Sequence, residues 1–331
     1  MADVMSDSVA TIAERRVDRS QVLRSLGRSD ALFANLTLVA AVSVLIVLGA
    51  VFVTLMIGAY PAFRAFGFGF VSTQVWNPVT EKFGALAPIA GTIVTAFIAM
   101  IIAVPIGLGI AIFLTERCPM ILRRPISIAI ELLAGIPSII YGIWGLFVFA
   151  PFMQQHVQPA LISAFANVPV LSTLFAGPPY GIGVLTSSLI LAIMVLPFIT
   201  SISRDVFATV PPVLKEAAYG QGCTTWEVVY NIVIPYTRVG LLGGVMLGLG
   251  RALGETMAVT FVIGNAHKLS GSILGPGTTI SATIANEFTE AVGDLYTSSL
   301  IALGLILFAI TFIVLAIARY LLARLEKQAG A

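Results

Sequence analysis

The sequence predicts an all-α fold, a polytopic membrane bundle of six transmembrane helices. Composition is the first observation: 58% of the 331 residues are hydrophobic, only 10% are charged, and the mean hydropathy is +1.00. A soluble globular domain needs a far more charged surface. The second observation is length, since six apolar segments reach the roughly 20 residues that a helix needs to cross a bilayer. These segments are Leu32–Ala59, Leu86–Thr115, Ile126–Pro151, Ile182–Ser203, Tyr236–Gly264 and Thr297–Leu322.

The first predicted span follows a polar segment. Residues 1–30 carry ten charged side chains and are predicted to form an N-terminal cytoplasmic tail, ahead of a transmembrane domain over residues 31–331. The apolar run after the tail is too long for the hydrophobic region of a cleavable signal peptide, which is about 7–15 residues. It is therefore predicted to stay in the membrane.

The second and third spans each contain a proline, Pro105 and Pro137 respectively. A proline removes one helical hydrogen bond and bends the helix, which membrane helices tolerate where neighbouring groups satisfy the freed carbonyl. Both spans are predicted to be bent helices.

The placement of basic residues predicts the orientation of the chain. With the N-terminus in the cytoplasm, 14 of the 18 Lys and Arg residues fall inside, three (Arg64, Lys82 and Lys268) fall outside, and Arg251 lies within a span. Such a bias is typical of inner-membrane proteins. Six spans return the chain to its starting side, so both termini are predicted to be cytoplasmic.

The last outer loop, residues 265–296, contains apolar residues at helical spacing. Ile284, Phe288 and Val292 predict an amphipathic surface helix over Ile280–Val292. His267, in the same loop, is expected to be solvated.

The loop between the fourth and fifth spans predicts a helix, a tight turn and a second helix. Pro211 and Pro212 suit the start of a helix, where the amides have no intrahelical partner. Gly222 tolerates the positive φ that ends many helices. Thr224 and Glu227 have the spacing of a capping box that would open the second helix.

The same loop, about residues 204–235, resembles the EAA loop of ABC importer permeases. The pattern is Glu216-Ala217-Ala218, three residues, Gly222, nine residues and then Ile-x-Ile-Pro, with Ile234 where leucine is more usual. The resemblance implies that Glu216, Ala217, Ala218 and Gly222 contact a cytoplasmic ATPase subunit.

The chain itself is not expected to hydrolyse ATP. None of its lysines follows a glycine, so the Gly-Lys pair of a phosphate-binding Walker A loop is missing. We therefore expect a transport subunit rather than an enzyme, with no cofactor of its own, and with ATP and Mg bound by the partner ATPase.

Two opposite charges lie in the fifth predicted span, Arg251 and Glu255, four residues apart on one predicted helical face. A charge inside the membrane costs about 2.5–3.5 kcal/mol even on lenient scales. One interpretation is a mutually neutralising pair that holds the helix in the bundle. The other is an anion pathway, because a guanidinium presents several donors and stays charged.

Glycines recur every four residues in this span, at Gly240, Gly244 and Gly248. Small residues at this spacing allow two membrane helices to approach closely. We predict a packing role for them.

Residues 250–265, Gly-Arg-Ala-Leu-Gly-Glu-Thr-Met-Ala-Val-Thr-Phe-Val-Ile-Gly-Asn, resemble the signature region of the PstC family, the phosphate permease subunits of ABC importers. Residues 131–142 and 278–290 agree with this resemblance, which extends from about residue 30 to the end of the chain. It implies a type I ABC importer permease fold and an inorganic phosphate pathway lined by Arg251 and Glu255. Glu131 occupies a family-typical position, as either a pathway residue or an interface carboxylate.

The resemblance also implies partners. These are a second permease subunit resembling PstA, two copies of an ATPase resembling PstB, and a periplasmic phosphate-binding protein resembling PstS. Membrane lipid surrounds the chain, and no nucleic acid is expected. A further implication, given as a hypothesis, is that Glu255 accepts a hydrogen bond from protonated phosphate, which fully ionised sulfate lacks.

Other functions remain open. A sulfate, molybdate or phosphonate permease would share the EAA loop, and the Arg251–Glu255 pair favours phosphate among them. A secondary transporter or channel would have no reason to carry that loop. An intramembrane enzyme is disfavoured because His-Glu-x-x-His and Gly-x-Ser-x-Gly motifs are absent from the sequence.

Overall fold

The computed structural model describes the backbone of residues 2–329 and the side chains of residue 30 and residues 32–324. Within these residues no β-strand forms, and an isolated bridge pairs Asn77 with Lys82. The predicted all-α class is confirmed. The helices are α1 (Ala2–Phe66), α2 (Gly69–Ser72), α3 (Leu86–Arg117), α4 (Met120–Ala134), α5 (Ser138–Phe165), α6 (Leu171–Leu174), α7 (Val184–Ala208), α8 (Pro212–Gly220), α9 (Thr225–Leu253), α10 (Met257–Thr260), α11 (Ile280–Glu287) and α12 (Asp294–Ala329).

The chain divides into two compact units, Met1–Ile57 and Gly58–Ala331. The division falls within α1, and the predicted boundary of the tail at residue 30 stays a prediction. The side chains of residues 1–29 lie outside the described residues, so the role of the tail stays a prediction.

Five helices in the described part of the chain are long and apolar enough to cross a membrane, and a sixth span results if α4 and α5 count as one bent pair. The predicted number of six agrees with this second count. The five run over Leu32–Phe66, Leu86–Arg117, Val184–Ala208, Thr225–Leu253 and Asp294–Arg324.

The third predicted span is broken rather than bent. Helix α4 ends at Ala134, α5 begins at Ser138, and the two differ in direction by 88°. Pro137 has no amide proton and disfavours a helical conformation at the residue before it, and Gly135 adds a flexible position. The Tyr141 hydroxyl donates to the Leu133 carbonyl across the break (2.9 Å), which satisfies one carbonyl freed there. At Pro105, in contrast, helix α3 continues without a break, and the predicted bend there stays a prediction.

The centre of the second unit is formed by α3 and α7. Ala96, Ala99 and Ala103 of α3 are almost fully buried and belong to one cluster with Leu191 and Val195 of α7. Alanines bring the two helix backbones close together, which maximises dispersion contacts in a setting where lipid is as apolar as the core.

The glycines of α9 pack against α7, as predicted. A Cβ placed on Gly244 would lie 2.7 Å from the Ile202 side chain, and one on Gly248 would lie 3.0 Å from Ile199. One turn earlier, a Cβ on Gly240 would lie 2.8 Å from the Val206 side chain. Only a residue without a side chain fits at these positions with the present helix spacing.

The fifth predicted span, Tyr236–Gly264, ends earlier than expected. Helix α9 stops at Leu253, and the short helix α10 follows after a turn at Gly254. The chain then turns back at Gly264 and Asn265, both with positive φ, and the Gly277 amide donates to the Ile263 carbonyl (2.9 Å). The three glycines between Gly248 and Gly254 have low helix propensity, which favours the end of the helix here.

The loop over residues 265–296 forms a shorter helix than predicted. Helix α11 ends at Glu287, and its first turn, Ile280 to Thr283, is buried. Phe288 and Val292, the predicted apolar face, are exposed and lie beyond the helix. The loop therefore packs into the bundle through its start.

Candidate functional site

Arg251 lies in the last turn of α9 and its side chain is exposed. Within the described residues it forms no ion pair, and no carboxylate neutralises it. A cation suits the C-terminal end of a helix, where the helix dipole is negative. The guanidinium therefore keeps its donors free for another group.

Glu255 lies after the end of α9, so Arg251 and Glu255 do not share a helical face. This corrects the predicted i,i+4 geometry, and the cause is the turn at Gly254. One carboxylate oxygen of Glu255, Oε1, accepts a hydrogen bond from the Ala258 amide at the start of α10 (3.1 Å). The carboxylate is partly exposed.

The start of α5 packs against α10, the short helix that follows Glu255. A Cβ on Gly142 would lie 2.9 Å from the Met257 carbonyl and 3.2 Å from the Ala258 Cα, so α5 and α10 are in backbone contact here. Helix α10 also packs against α11. The three stretches that resemble the PstC family, residues 131–142, 250–265 and 278–290, are thus brought together by the fold.

The loop between α7 and α9 has the predicted helix, turn and helix. Helix α8 ends at Gly220, and Gly222, two residues later, has a φ of +89°. The Cys223 amide donates to the Ala218 carbonyl (3.1 Å) and the Gly222 amide to the Tyr219 carbonyl (3.0 Å), the two bonds of a Schellman motif.

The predicted capping box at the start of α9 is also present. The Thr224 hydroxyl accepts from the Glu227 amide (3.4 Å), and the Glu227 carboxylate accepts from the Thr224 amide (2.7 Å). Local sequence therefore determined this turn.

The four residues predicted to contact an ATPase differ in accessibility. Glu216, Ala217 and Gly222 are exposed, whereas Ala218 is 5% exposed and packs into a core cluster with Val228. The methyl group of Ala218 therefore fixes α8 to its own chain. Several large apolar side chains near α8 are exposed, namely Val213, Tyr219, Trp226 and Tyr230.

An ion pair that the sequence did not reveal anchors α8. Lys215 Nζ lies 2.6 Å from Glu116 Oε1, and the Glu116 side chain is only 6% exposed. The partners are 99 residues apart, so no local pattern links them.

Glu131 forms an ion pair within the chain. Its Oε1 lies 2.9 Å from a guanidinium nitrogen of Arg204 in α7. Arg204 also binds Asp205 at 2.9 Å. Glu131 therefore packs α4 against α7 within this chain, and its role in a pathway or an interface stays a prediction.

His267 was predicted to be solvated, and this is wrong. Its Nε2 lies 2.8 Å from Oε1 of Glu287, and its ring stacks on Trp76 with centroids 5.2 Å apart. Oε2 of Glu287 accepts hydrogen bonds from Trp76 and from the Tyr296 hydroxyl. Burial alone would raise the pKa of Glu287, but the hydrogen bonds from His267, Tyr296 and Trp76 outweigh it and lower that pKa.

Residues 103–327 match the family described as the binding-protein-dependent transport system inner membrane component. Curated relatives extend the match over nearly the whole chain. The phosphate transport system permease protein PstC of Mesorhizobium japonicum is 67% identical over 316 residues, covering 96% of this chain and 97% of its own. The protein of the same name from Pasteurella multocida is 57% identical, covering 91% and 94%.

A more distant relative is the probable phosphate transport system permease protein PstC of Methanocaldococcus jannaschii. It is 40% identical over 276 residues, covering 82% of this chain and 86% of its own.

Two solved structures support the fold. A bacterial alginate ABC transporter chain has a TM-score of 0.55 at 17% identity, over 82% of this chain and 88% of that chain. A chain of the MetNI methionine ABC transporter has a TM-score of 0.51 at 17% identity, over 73% and 94%. Both support a type I ABC importer permease fold. The chain therefore belongs to the family of binding-protein-dependent transport system inner membrane components, as a multi-pass transport subunit whose curated relatives are PstC permeases.

Proposed function

We propose that this chain is a permease subunit that forms the inorganic phosphate pathway of an ATP-driven importer. The observation that carries the proposal is the guanidinium of Arg251, unpaired within the described residues, at the end of a membrane helix in a chain 67% identical to a PstC protein. A charge in this setting is expensive, which favours a functional role.

Arg251 is proposed to bind the oxyanion. Its guanidinium presents a planar set of donors that matches two phosphate oxygens, and it stays protonated throughout transport. Because Glu255 is turned away by the end of the helix, the guanidinium need not break an ion pair before it binds phosphate. The neutralising-pair interpretation has less support for the same reason.

Glu255 is proposed to select protonated phosphate. Oε1 is occupied by the Ala258 amide, and Oε2 has no hydrogen-bond donor within the described residues. A carboxylate oxygen accepts a hydrogen bond from a P–OH group but repels a fully ionised sulfate.

Helix α9 is proposed to connect transport with ATP hydrolysis. It is a continuous 29-residue helix that starts in the EAA-like loop and ends two residues after Arg251. At 1.5 Å per residue it is about 43 Å long. A movement of the loop would therefore displace the candidate pathway residue directly.

The proposed assembly follows from the family. Glu216, Ala217 and Gly222 would contact an ATPase resembling PstB, present in two copies, which binds ATP and Mg. A permease resembling PstA would complete the pathway, and a protein resembling PstS would deliver phosphate. Both termini and the α8 loop are proposed to be cytoplasmic, in line with the basic residues near that loop.

The test is reconstitution of the chain with these partners in liposomes, followed by ATP-dependent uptake of labelled phosphate, sulfate and molybdate. Phosphate uptake that exceeds uptake of the other two anions supports the proposal. Uptake of sulfate or molybdate without phosphate would overturn the substrate. Uptake without ATP would instead indicate a secondary transporter or channel.

A further inference from the structure

A second group of basic side chains lies between residues 114 and 215, outside the helix that carries Arg251. A cavity of about 450 Å³ opens between the end of α3, the start of α4, the end of α7 and helix α8. No residue of α9 or α10 lines it. Its lining includes four basic side chains, Arg123, Arg124, Arg204 and Lys215, together with Asp205.

The carboxylates around the cavity neutralise only part of this charge. Arg204 pairs with Glu131 and Asp205, and Lys215 pairs with Glu116. Four basic groups against three carboxylates leave a net charge of +1. Within the described residues, Arg123 and Arg124 have no carboxylate partner.

Arg123 has a buried donor without an acceptor. Its Nη2 donates to the Thr115 carbonyl at 2.8 Å, which holds the guanidinium at the cavity wall. Its Nε is buried and has no hydrogen-bond partner within the described residues. A buried donor left unsatisfied is costly, so an acceptor oxygen in the cavity would be favourable.

The start of α4 contributes to the same wall. Met120, its first residue, lines the cavity, and no side chain caps this 15-residue helix. The first-turn amides and the positive end of the helix dipole favour an anion here. Ile121 and Leu122, which follow, are exposed apolar residues beside the two arginines.

We propose that this cavity binds an anionic phosphate group. A tetrahedral group with one negative charge balances the net +1, and its oxygens supply the acceptor that Arg123 Nε lacks. Two sources share this chemistry: inorganic phosphate, and the phosphodiester headgroup of an acidic phospholipid. Neither Arg251 nor Glu255 lines this cavity, which adjoins α8 through Lys215.

The test uses the purified transporter complex without binding protein, in two arms. The first arm measures equilibrium binding of labelled inorganic phosphate after removal of lipid. The second arm uses native mass spectrometry to count retained phosphatidylglycerol against phosphatidylcholine. Each arm compares wild type with Arg123→Gln/Arg124→Gln, and with Arg319→Gln as a basic-to-neutral control outside the cavity.

Loss of the two guanidinium groups should weaken binding of the phosphate group about tenfold or more, because the charge-assisted hydrogen bonds to its oxygens are removed. The control should behave as wild type. A change confined to the first arm assigns the site to inorganic phosphate, and one confined to the second assigns it to lipid. If the double variant misfolds, Arg124→Gln alone replaces it in both arms, because the exposed Arg124 side chain can be changed without disturbing the fold. If no cavity variant differs from the control in either arm, the proposal is wrong.

Discussion

Glu255 uses its two carboxylate oxygens differently, and this makes a conservative substitution informative. The carbonyl oxygen of glutamine can keep the hydrogen bond from the Ala258 amide, so Glu255→Gln should leave the start of α10 intact. The substitution removes the negative charge that repels sulfate and weakens the acceptor for protonated phosphate. We expect excess sulfate to inhibit phosphate uptake about tenfold more strongly in the variant than in wild type.

The measurement is the initial rate of phosphate uptake at increasing sulfate concentration, with Glu290→Gln as a matched control on an exposed glutamate. If both variants show the wild-type response to sulfate, Glu255 has no selective role.

Glu287 predicts a pH dependence of stability. The pKa of its carboxyl group lies below the ordinary value of 4.5 because the hydrogen bonds of the His267, Tyr296 and Trp76 side chains outweigh its burial. A carboxyl group whose pKa is lowered by folding stabilises the folded state at pH values above its unfolded pKa. This stabilisation is lost as the pH falls through the folded pKa. We therefore expect wild type to be more stable than Glu287→Gln near neutral pH, with the difference shrinking between about pH 5 and pH 3.

Thermal unfolding of the chain in detergent across this range provides the measurement. A difference between wild type and Glu287→Gln that stays constant down to pH 3 would contradict the role of the ionised carboxylate.

At the scale of the elements, adjacent glycines of α9 provide a matched pair. A Cβ on Gly244 would lie 2.7 Å from the β-branched Ile202, whereas nothing lies within 4 Å of a Cβ on Gly243. Gly244→Ala should therefore destabilise the chain by about 1–3 kcal/mol through overpacking. Gly243→Ala should be neutral or stabilising by up to about 1 kcal/mol, because alanine is the better helix former.

Thermal unfolding of the purified chain in detergent compares the two variants. Equal unfolding midpoints would show that α9 and α7 do not depend on this close contact.

The ion pair between Lys215 and Glu116 attaches α8 to the end of α3. Lys215→Met leaves the buried Glu116 carboxylate without its partner, and we expect a loss of about 3 kcal/mol, the lower end for buried pairs, since Lys215 is partly exposed. The double variant Glu116→Gln/Lys215→Met removes the orphaned charge and should recover part of the loss. Denaturant unfolding of all variants measures the coupling, and additive effects would exclude it.

The features that were predictable from sequence are those that depend on neighbouring residues. The Schellman turn at Gly222 and the capping box of Thr224 and Glu227 involve residues within six positions of one another, so residue type and spacing determined them. The glycine stripe of α9 was predictable because it repeats at the helical period.

Other features depend on parts of the chain that are distant in sequence. Pro137 is compatible with a kink or with a break, and the choice depends on packing around α5. Helix α9 ends at Leu253 and therefore places Arg251 and Glu255 in different elements, although the apolar sequence continues to Gly264. The contacts of His267 with Trp76, and of Lys215 with Glu116, join segments that no local pattern relates.

In the whole molecule, helix α9 connects the EAA-like loop with the candidate pathway residue. Helix α9 begins with the capped turn of the EAA-like loop and ends beside Arg251, and α7 supports it along the glycine stripe. The helix includes a π-helical turn over Val229–Val233 and continues without a break to Leu253. A displacement of the loop is therefore expected to reach the candidate pathway residue.

The most direct test of the central claim is ATP-dependent uptake of labelled phosphate by reconstituted complexes carrying wild-type chain, Arg251→Gln or the control Arg319→Gln, with ATP hydrolysis measured in the same vesicles. Loss of a charge-assisted, bidentate contact predicts uptake reduced about 100-fold in Arg251→Gln, with assembly and basal ATP hydrolysis preserved. The control should match wild type. Wild-type rates of phosphate uptake in Arg251→Gln would contradict the assignment of this residue to the phosphate pathway.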